Sequence, residues 1–247
     1  MPEQRNETMT AISSTHNSRL KEVRRLQRRR ERERSGRFLA EGEDLIEAAE
    51  QAGRPVIEGY RVTGSELGGT RFTDVEPQVL AGVSSLGSGS RVIGVYEQRW
   101  IERPVGPLCL YLHGVGDPGN VGTVLRAALA FGASCVVLGP GCADPHSPKA
   151  VRASMGAIFA VALARSDSLD ELPGEKLALV AGAGEPLPGI AVKAPLTLLV
   201  GAEREGLPRE LIDACERVAH IPIASDSLNV AMAATIGLYE MTRVLAS

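Results

Sequence analysis

A chain of 247 residues with 44% hydrophobic but only 4% aromatic residues can bury a substantial core, which must rest on Val, Leu, Ile and Ala. The net charge of −3 hides an asymmetry: residues 1–40 hold 11 Lys+Arg against 5 Asp+Glu, leaving 16 against 25 in the remainder. The acidic bulk argues against general DNA coating, the basic end points to a local polyanion contact, and no apolar run approaches the roughly 18 residues of a membrane span.

Residues 1–10 read as a disordered lead, with an Asn6-Glu7-Thr8 sequon that has no meaning without export. The first thirty residues are polar and basic, so no secretory signal is expected. Residues 14–34 predict a helix capped by Ser13 or Ser14, with a thin apolar stripe of Leu20, Val23 and Leu26. Its arginines, Arg24, Arg25, Arg28, Arg29 and Arg30 among them, form the candidate polyanion-contacting surface; the bland alternative is a solvated helix partnered by Glu22, Glu31 and Glu33. A short strand and turn follow over 37–42, then an amphipathic helix from Glu43 to Ala52 closed by Gly53. A strand is expected over 55–62. Residues 75–96 alternate a short helix, a Gly/Ser-rich loop at Gly87-Ser88-Gly89-Ser90 and a strand through Val92, Ile93 and Val95. These elements make a small α/β module over 11–98.

Glu97–Pro107 carries two prolines and reads as a linker. From Leu108 strand runs alternate with helices: strands at 108–113, 134–138, 158–163, 177–181, 196–200 and 218–221, helices at 121–131, 148–156, 208–216 and 228–245. Gly132 stops the first of these helices. Val230, Ala234, Gly237, Leu238, Met241 and Leu245 share one face of the last. Near-continuous apolar strands between helices predict an α/β domain over 106–247 with a mostly parallel sheet buried on both sides, its site beyond the carboxyl ends of the strands.

Gly114-Val115-Gly116-Asp117-Pro118-Gly119 matches GxGxxG after a strand. Two details oppose a dinucleotide site. Pro118-Gly119-Asn120 reads as a turn ending in a helix cap, not as a glycine packed inside the helix, and the next strand ends in Gly139-Pro140-Gly141 without the acid a ribose requires. The four cysteines, Cys109, Cys135, Cys142 and Cys215, show no CxxC pairing; Cys109 and Cys135 read as small core residues in a reduced cytoplasm. The four histidines are scattered, so no metal site is expected.

Three polar clusters follow apolar runs: Asn120–Arg126, Gly201–Leu207 and Ser227–Val230. Such loops converging at one sheet edge suit a ligand and an RNA ribose better than a metal. Asn120 stands at an expected N-cap, and Arg126 is either a surface residue or an aimed cation. Gly201 allows close approach to the backbone, and Glu203 follows a strand's carboxyl end. Ser227 or Asp226 would cap the last helix, leaving Asn229 with no structural need for its amide.

These segments resemble the three signature motifs of the SpoU (TrmH-like) family of SPOUT methyltransferases. The matching strings are Asp117-Pro118-Gly119-Asn120-Val121-Gly122 with Leu125-Arg126, Val200–Leu207, and Ile221-Pro222-Ile223 with Ser227-Leu228-Asn229-Val230. Ser147-Pro148-Lys149 with Arg152-Ala153-Ser154 and Gly156-Ala157 also resembles a family segment, and the N-terminal module is similar to the ribosomal-protein-like RNA-binding domain that often precedes the catalytic one. His113, where many relatives have an aspartate, departs from the pattern.

The resemblance implies a deep C-terminal trefoil knot, a homodimer, and S-adenosylmethionine held bent by the knotted loops. It implies methyl transfer to a ribose 2′-hydroxyl of ribosomal or transfer RNA. By position, Gly182, Gly201, Ile221 and Leu228 would contact the cofactor, and Asn120, Arg126, Glu203, Ser227 and Asn229 would line the acceptor side. Glu203 could hold Arg126, which the family proposal makes the base. The alternative is a catalytically silent RNA-binding or ribosome-assembly protein that keeps the fold.

Overall fold

A computed structural model of the chain describes residues 11–67, 69–86, 89–225 and 227–246. The expected lead over 1–10 with its sequon, Gly87-Ser88 and Asp226 lie outside the described residues. The chain divides into two compact units. One runs to Gln98 and takes in His146–Pro148; the other comprises Arg99–Pro145 and Lys149–Ser247.

In the first unit the basic segment is two helices, not one. α1 (Ser18–Leu26) is capped by Asn17, whose side chain accepts from the Arg19 amide, and α2 (Arg29–Ser35) ends at Gly36 in the left-handed region. Ser13 and Ser14 do not cap. The helix breaks at Gln27-Arg28 because Arg32 is buried and its guanidinium donates to the carbonyls of Leu26 and Gln27, at 2.9 and 2.8 Å, groups a continuous helix would satisfy internally. β1 (Arg37–Glu41), α3 (Glu43–Gln51), β2 (Glu58–Val62), β3 (Phe72–Val75), α4 (Pro77–Ala81) and β4 (Val92–Glu97) complete the unit. β3 is not anticipated by the pattern; at four residues it is too short to show a period. The sheet order is β1-β4-β2-β3, with β2 and β3 parallel and the other pairs antiparallel. Leu20, Val23 and Leu26 pack with Leu39, Tyr60 and Ile93 in one core.

The second unit is built on β5 (Leu108–Leu112), α5 (Pro118–Ala130), β6 (Cys135–Leu138), α6 (Pro148–Ala153), α7 (Ala157–Ala160), β7 (Ala162–Arg165), β8 (Glu175–Leu179), β9 (Glu185–Pro186), β10 (Leu196–Val200), α8 (Arg209–Asp213), β11 (Arg217–His220) and α9 (Val230–Leu245). The seven strands pair in the order β7-β6-β5-β10-β8-β11-β9, all in parallel. The run expected as a strand over 158–163 is first a helical turn, α7, and only then β7. Ile158 and Phe159 are buried by packing against α5, which a strand periodicity imitates over so few residues. The two-residue β9 is also unannounced by the sequence.

β5 and β10 lie side by side, fully buried, and their carboxyl ends bring the loops after Leu112 and Val200 together. Cys109 and Cys135 face each other on neighbouring strands with their sulfurs 2.9 Å apart, both thiols free. The linker is fastened to the β7 edge: the Ile101 amide donates to the Leu163 carbonyl at 2.8 Å, and the Arg165 guanidinium stacks 4.2 Å from the Trp100 ring centroid. Among the described residues no helix is long and apolar enough to cross a membrane, and no cluster of His, Cys, Asp or Glu could hold a metal ion.

Candidate active site

α5 starts three residues earlier than expected. Asp117, not Asn120, is its N-cap: Oδ1 accepts from the Asn120 amide at 3.0 Å, and Pro118 supplies the preset first turn. Asn120 therefore stands inside the first turn, and its carboxamide is free to reach outward. Gly119 is likewise helical, so the argument that it forms a turn before the cap does not hold. The missing acid after β6 still opposes a dinucleotide site.

The Asn120 carboxamide joins the three clusters. Its Nδ2 donates to Glu203 Oε1, and its Oδ1 accepts from Asn229 Nδ2 at 3.3 Å. Asn229 is the N-cap of α9, its Oδ1 accepting from the amides of Ala231 and Met232 at 2.9 and 3.4 Å. The expectation that Asn229 lacks a structural role is thus wrong, because one oxygen caps a helix while the amide nitrogen serves the site. Ser227 does not cap; it lies exposed on the pocket rim. Glu203 binds Asn120 and not Arg126. Arg126 is exposed on α5 and has no hydrogen-bond or ion-pair partner among the described residues.

Glu203 is aimed by a tight turn. Ala202 and Gly206 exchange backbone hydrogen bonds at 3.1 and 3.0 Å, closing the loop that carries Glu203, Arg204 and Glu205. Gly206 takes φ 68°, and a Cβ on Gly201 would overlap the Gly206 carbonyl, so the turn can fold back only on glycine.

Behind this rim lies a cavity of about 430 Å³ whose walls include Leu179, Val200, Leu207, Ile212, Ile221 and Leu228, with Gly201 on its border. A pocket of this size, with apolar walls and a polar rim that includes Glu203, Arg204 and Glu205, suits a nucleoside-sized ligand with an aromatic base. Gly182 is not among its lining residues. It borders an adjoining open groove with His220, Ile221 and Ile223. His113 closes the end of β5, its amide donating to the Val200 carbonyl at 2.9 Å. Its Nδ1 is buried without a partner among the described residues, and burial lowers its pKa below the ordinary histidine value.

Sequence reasoning passed over Asp117 and Lys149 as a pair. Asp117 Oδ2 accepts from Lys149 Nζ at 2.6 Å, and this bond, followed by that from the Asn120 amide, holds the Asp117 carboxyl below the usual carboxylate range. The signal was present: an Asp one residue before a proline that opens a helix is the usual cap arrangement.

Of the basic candidates in the first unit, Arg25, Arg28 and Arg30 are exposed. Arg24 donates to the Thr15 carbonyl at 2.8 Å, and Arg29 pairs with Glu33 at 2.8 Å. The solvated-helix alternative therefore describes Arg29 and Arg34, the latter paired with Glu31 at 2.7 Å, better than it describes Arg25, Arg28 and Arg30.

A parallel sheet whose strand-end loops enclose an apolar cavity, with a rim of interlocked amides and a carboxylate, defines an α/β enzyme for a nucleotide-like cofactor. The chain belongs to the SpoU rRNA Methylase family, whose model matches residues 107–239. Residues 17–94 match the MRM3-like substrate binding domain. A Bacillus subtilis 23S rRNA (guanosine(2553)-2′-O)-methyltransferase is 28% identical over 94% of this chain and 99% of its own. The AdoMet-bound rRNA methyltransferase of Sinorhizobium meliloti superposes with a TM-score of 0.85 at 31% identity, covering 96% of this chain and 99% of its own. The SpoU methyltransferase AviRb of Streptomyces viridochromogenes, in complex with AdoMet, gives a TM-score of 0.82 at 27% identity over 92% of this chain and 98% of its own.

Proposed function

We propose that this protein transfers the methyl group of S-adenosylmethionine to a ribose 2′-hydroxyl of ribosomal RNA. The observation that carries the reading is the Asn120 carboxamide bonded to both Glu203 and Asn229 at the mouth of a nucleoside-sized cavity. The donor supplies an already activated methyl on a sulfonium, so the protein's work is positioning. The backbone at Gly201, Ile221 and Leu228 holds the cofactor, with Gly182 bordering the groove beside it. Asn120, Glu203, Ser227 and Asn229 face the ribose, and the interlocked amides fix the direction of the Glu203 carboxylate.

Arg126 binds an RNA phosphate and orients the hydroxyl. A guanidinium holds its proton firmly, and a neighbouring phosphate favours the charged form, so the role of base is disfavoured. The module of residues 11–98 holds RNA through Arg25, Arg28 and Arg30, with Arg24 and Arg29 at its margin. The catalytic domain of 106–247 carries the trefoil knot; the placement of β10 between β5 and β8 is a crossover compatible with it. The working form is a cytoplasmic homodimer. The exposed apolar stripe of Met232, Ile236 and Tyr239 on α9, with Leu129 of α5, favours a second copy as its cover.

The test is transfer of labelled methyl from S-adenosylmethionine to deproteinised ribosomal RNA, with the product mapped by resistance to alkaline cleavage. Arg126→Ala should cut transfer by about a hundredfold while cofactor binding persists. Near-normal turnover of that variant would refute the role of Arg126. An inactive native protein that still binds RNA would favour the silent assembly factor.

A further inference from the structure

The segment Lys149–Gly156 lies beside the acceptor side, yet no role above uses it. Lys149 runs along the start of α5: a Cβ on Gly119 would lie 3.1 Å from Lys149 Cε. One turn on, a Cβ on Gly122 would overlap the Ala150 carbonyl and lie 2.7 Å from Ala153 Cβ, so only glycine lets the two helices touch. α6 therefore touches the first two turns of α5, at Gly119 and Gly122. On α5, Arg126 lies one turn beyond Gly122, about 6 Å further along the helix axis.

Three exposed cations stand on these two helices, Lys149 and Arg152 on α6 and Arg126 on α5, in a chain whose residues beyond 40 are net acidic. Neither Arg152 nor Arg126 has a partner among the described residues. Lys149 has one, Asp117, but its side chain keeps 63% exposure. It also sits in the first turn of α6, where a cation gains nothing from the helix. Beyond Arg152 the chain turns at Met155, the only non-glycine residue with positive φ among the described residues (48°), which holds a 52% exposed thioether outward. Three cations and an exposed apolar side chain beside a ribose-directed site match a polynucleotide strand: phosphates on the cations, a base face on the sulfur.

We propose that Lys149 and Arg152 grip consecutive backbone phosphates of the RNA strand next to the acceptor nucleotide, with Met155 against a neighbouring base. The proposal rests on the ribose-methylation reading. Lys149 exchanges Asp117 for phosphate on binding, and Asp117 keeps its cap bond to the Asn120 amide throughout.

The experiment uses the full chain and deproteinised ribosomal RNA. Arg152→Gln and the double variant Lys149→Gln/Arg152→Gln are compared with native protein for RNA affinity across a salt series, and for KM and kcat of methyl transfer. Two lost phosphate contacts should lower the salt slope of single-strand binding by about 1.4 and raise the KM for RNA about tenfold, with kcat the lesser effect. Arg152→Gln leaves the Lys149–Asp117 pair intact, so its share of the effect, about half the slope change, cannot arise from a loosened cap. Charge-keeping Arg152→Lys should restore most of the affinity. If native protein methylates RNA and both variants match it in slope and KM, the phosphate ridge is overturned while the methylation reading stands. If native protein neither binds nor methylates RNA, both fall.

Discussion

Asn229 Nδ2 donates to Asn120 Oδ1 at 3.3 Å, tying the cap of α9 to the first turn of α5 across 109 residues of chain. The same Asn229 caps its own helix through Oδ1, so one side chain closes a cap and bridges to Asn120 with different atoms.

Substitutions at position 229 should therefore separate the two roles. Asn229→Asp keeps a cap oxygen and removes the donor; Asn229→Ala removes both. We expect both variants to lose methyl transfer, and only Asn229→Ala to lose about 0.5–2 kcal/mol of stability. Urea unfolding beside the transfer assay checks this. Equal destabilisation by the two would mean the cap bond contributes nothing.

Gly201→Ala should abolish cofactor binding while the protein stays folded. The added carbon overlaps the Gly206 carbonyl, and relief must displace the turn that borders the cavity. Titration calorimetry with S-adenosylmethionine is the measurement, and an affinity within threefold of native, a change under roughly 0.7 kcal/mol, would show that the turn is not needed.

His113 sets an acid sensitivity. Its folded pKa is lowered by burial, so as pH drops below about 6.5 the unfolded chain takes up the proton first. Its stabilising contribution is complete above that value and declines as pH falls toward the folded pKa. His113→Gln should make the melting temperature fall less between pH 7.5 and 5.5 than in the native protein. Parallel curves would remove His113 as the cause.

In the basic segment two classes of arginine should behave oppositely. Arg25, Arg28 and Arg30 changed together to Gln should flatten the salt dependence of RNA binding without altering stability. Arg32→Ala should destabilise by about 1–3 kcal/mol, because its buried guanidinium satisfies the carbonyls of Leu26 and Gln27. Filter binding at graded salt and urea midpoints distinguish them.

The long apolar runs made the parallel sheet readable: Leu108–Leu112 and Leu196–Val200 are buried throughout and could hardly be anything else. What failed was whatever short range could not encode. β3 and α7 hold four residues each, below one reliable period of pattern. The break between α1 and α2 depends on where Arg32 buries its charge, which an arginine-rich string conceals. At the site, the residue types and their loops were legible, but the bonding was not. Asn120 reads as a cap because amides cap helices, while Asp117 three residues earlier holds that position. Charge alone pairs Glu203 with Arg126, whereas the fold brings it an amide.

Met232 donates its backbone amide to the Asn229 cap at 3.4 Å, while its side chain, 61% exposed, begins the apolar stripe of α9. A single residue thus has its main chain in the helix cap and its side chain on the outer surface. Whatever molecule covers that stripe therefore covers a helix whose first amides are held by the same side chain that bonds Asn120.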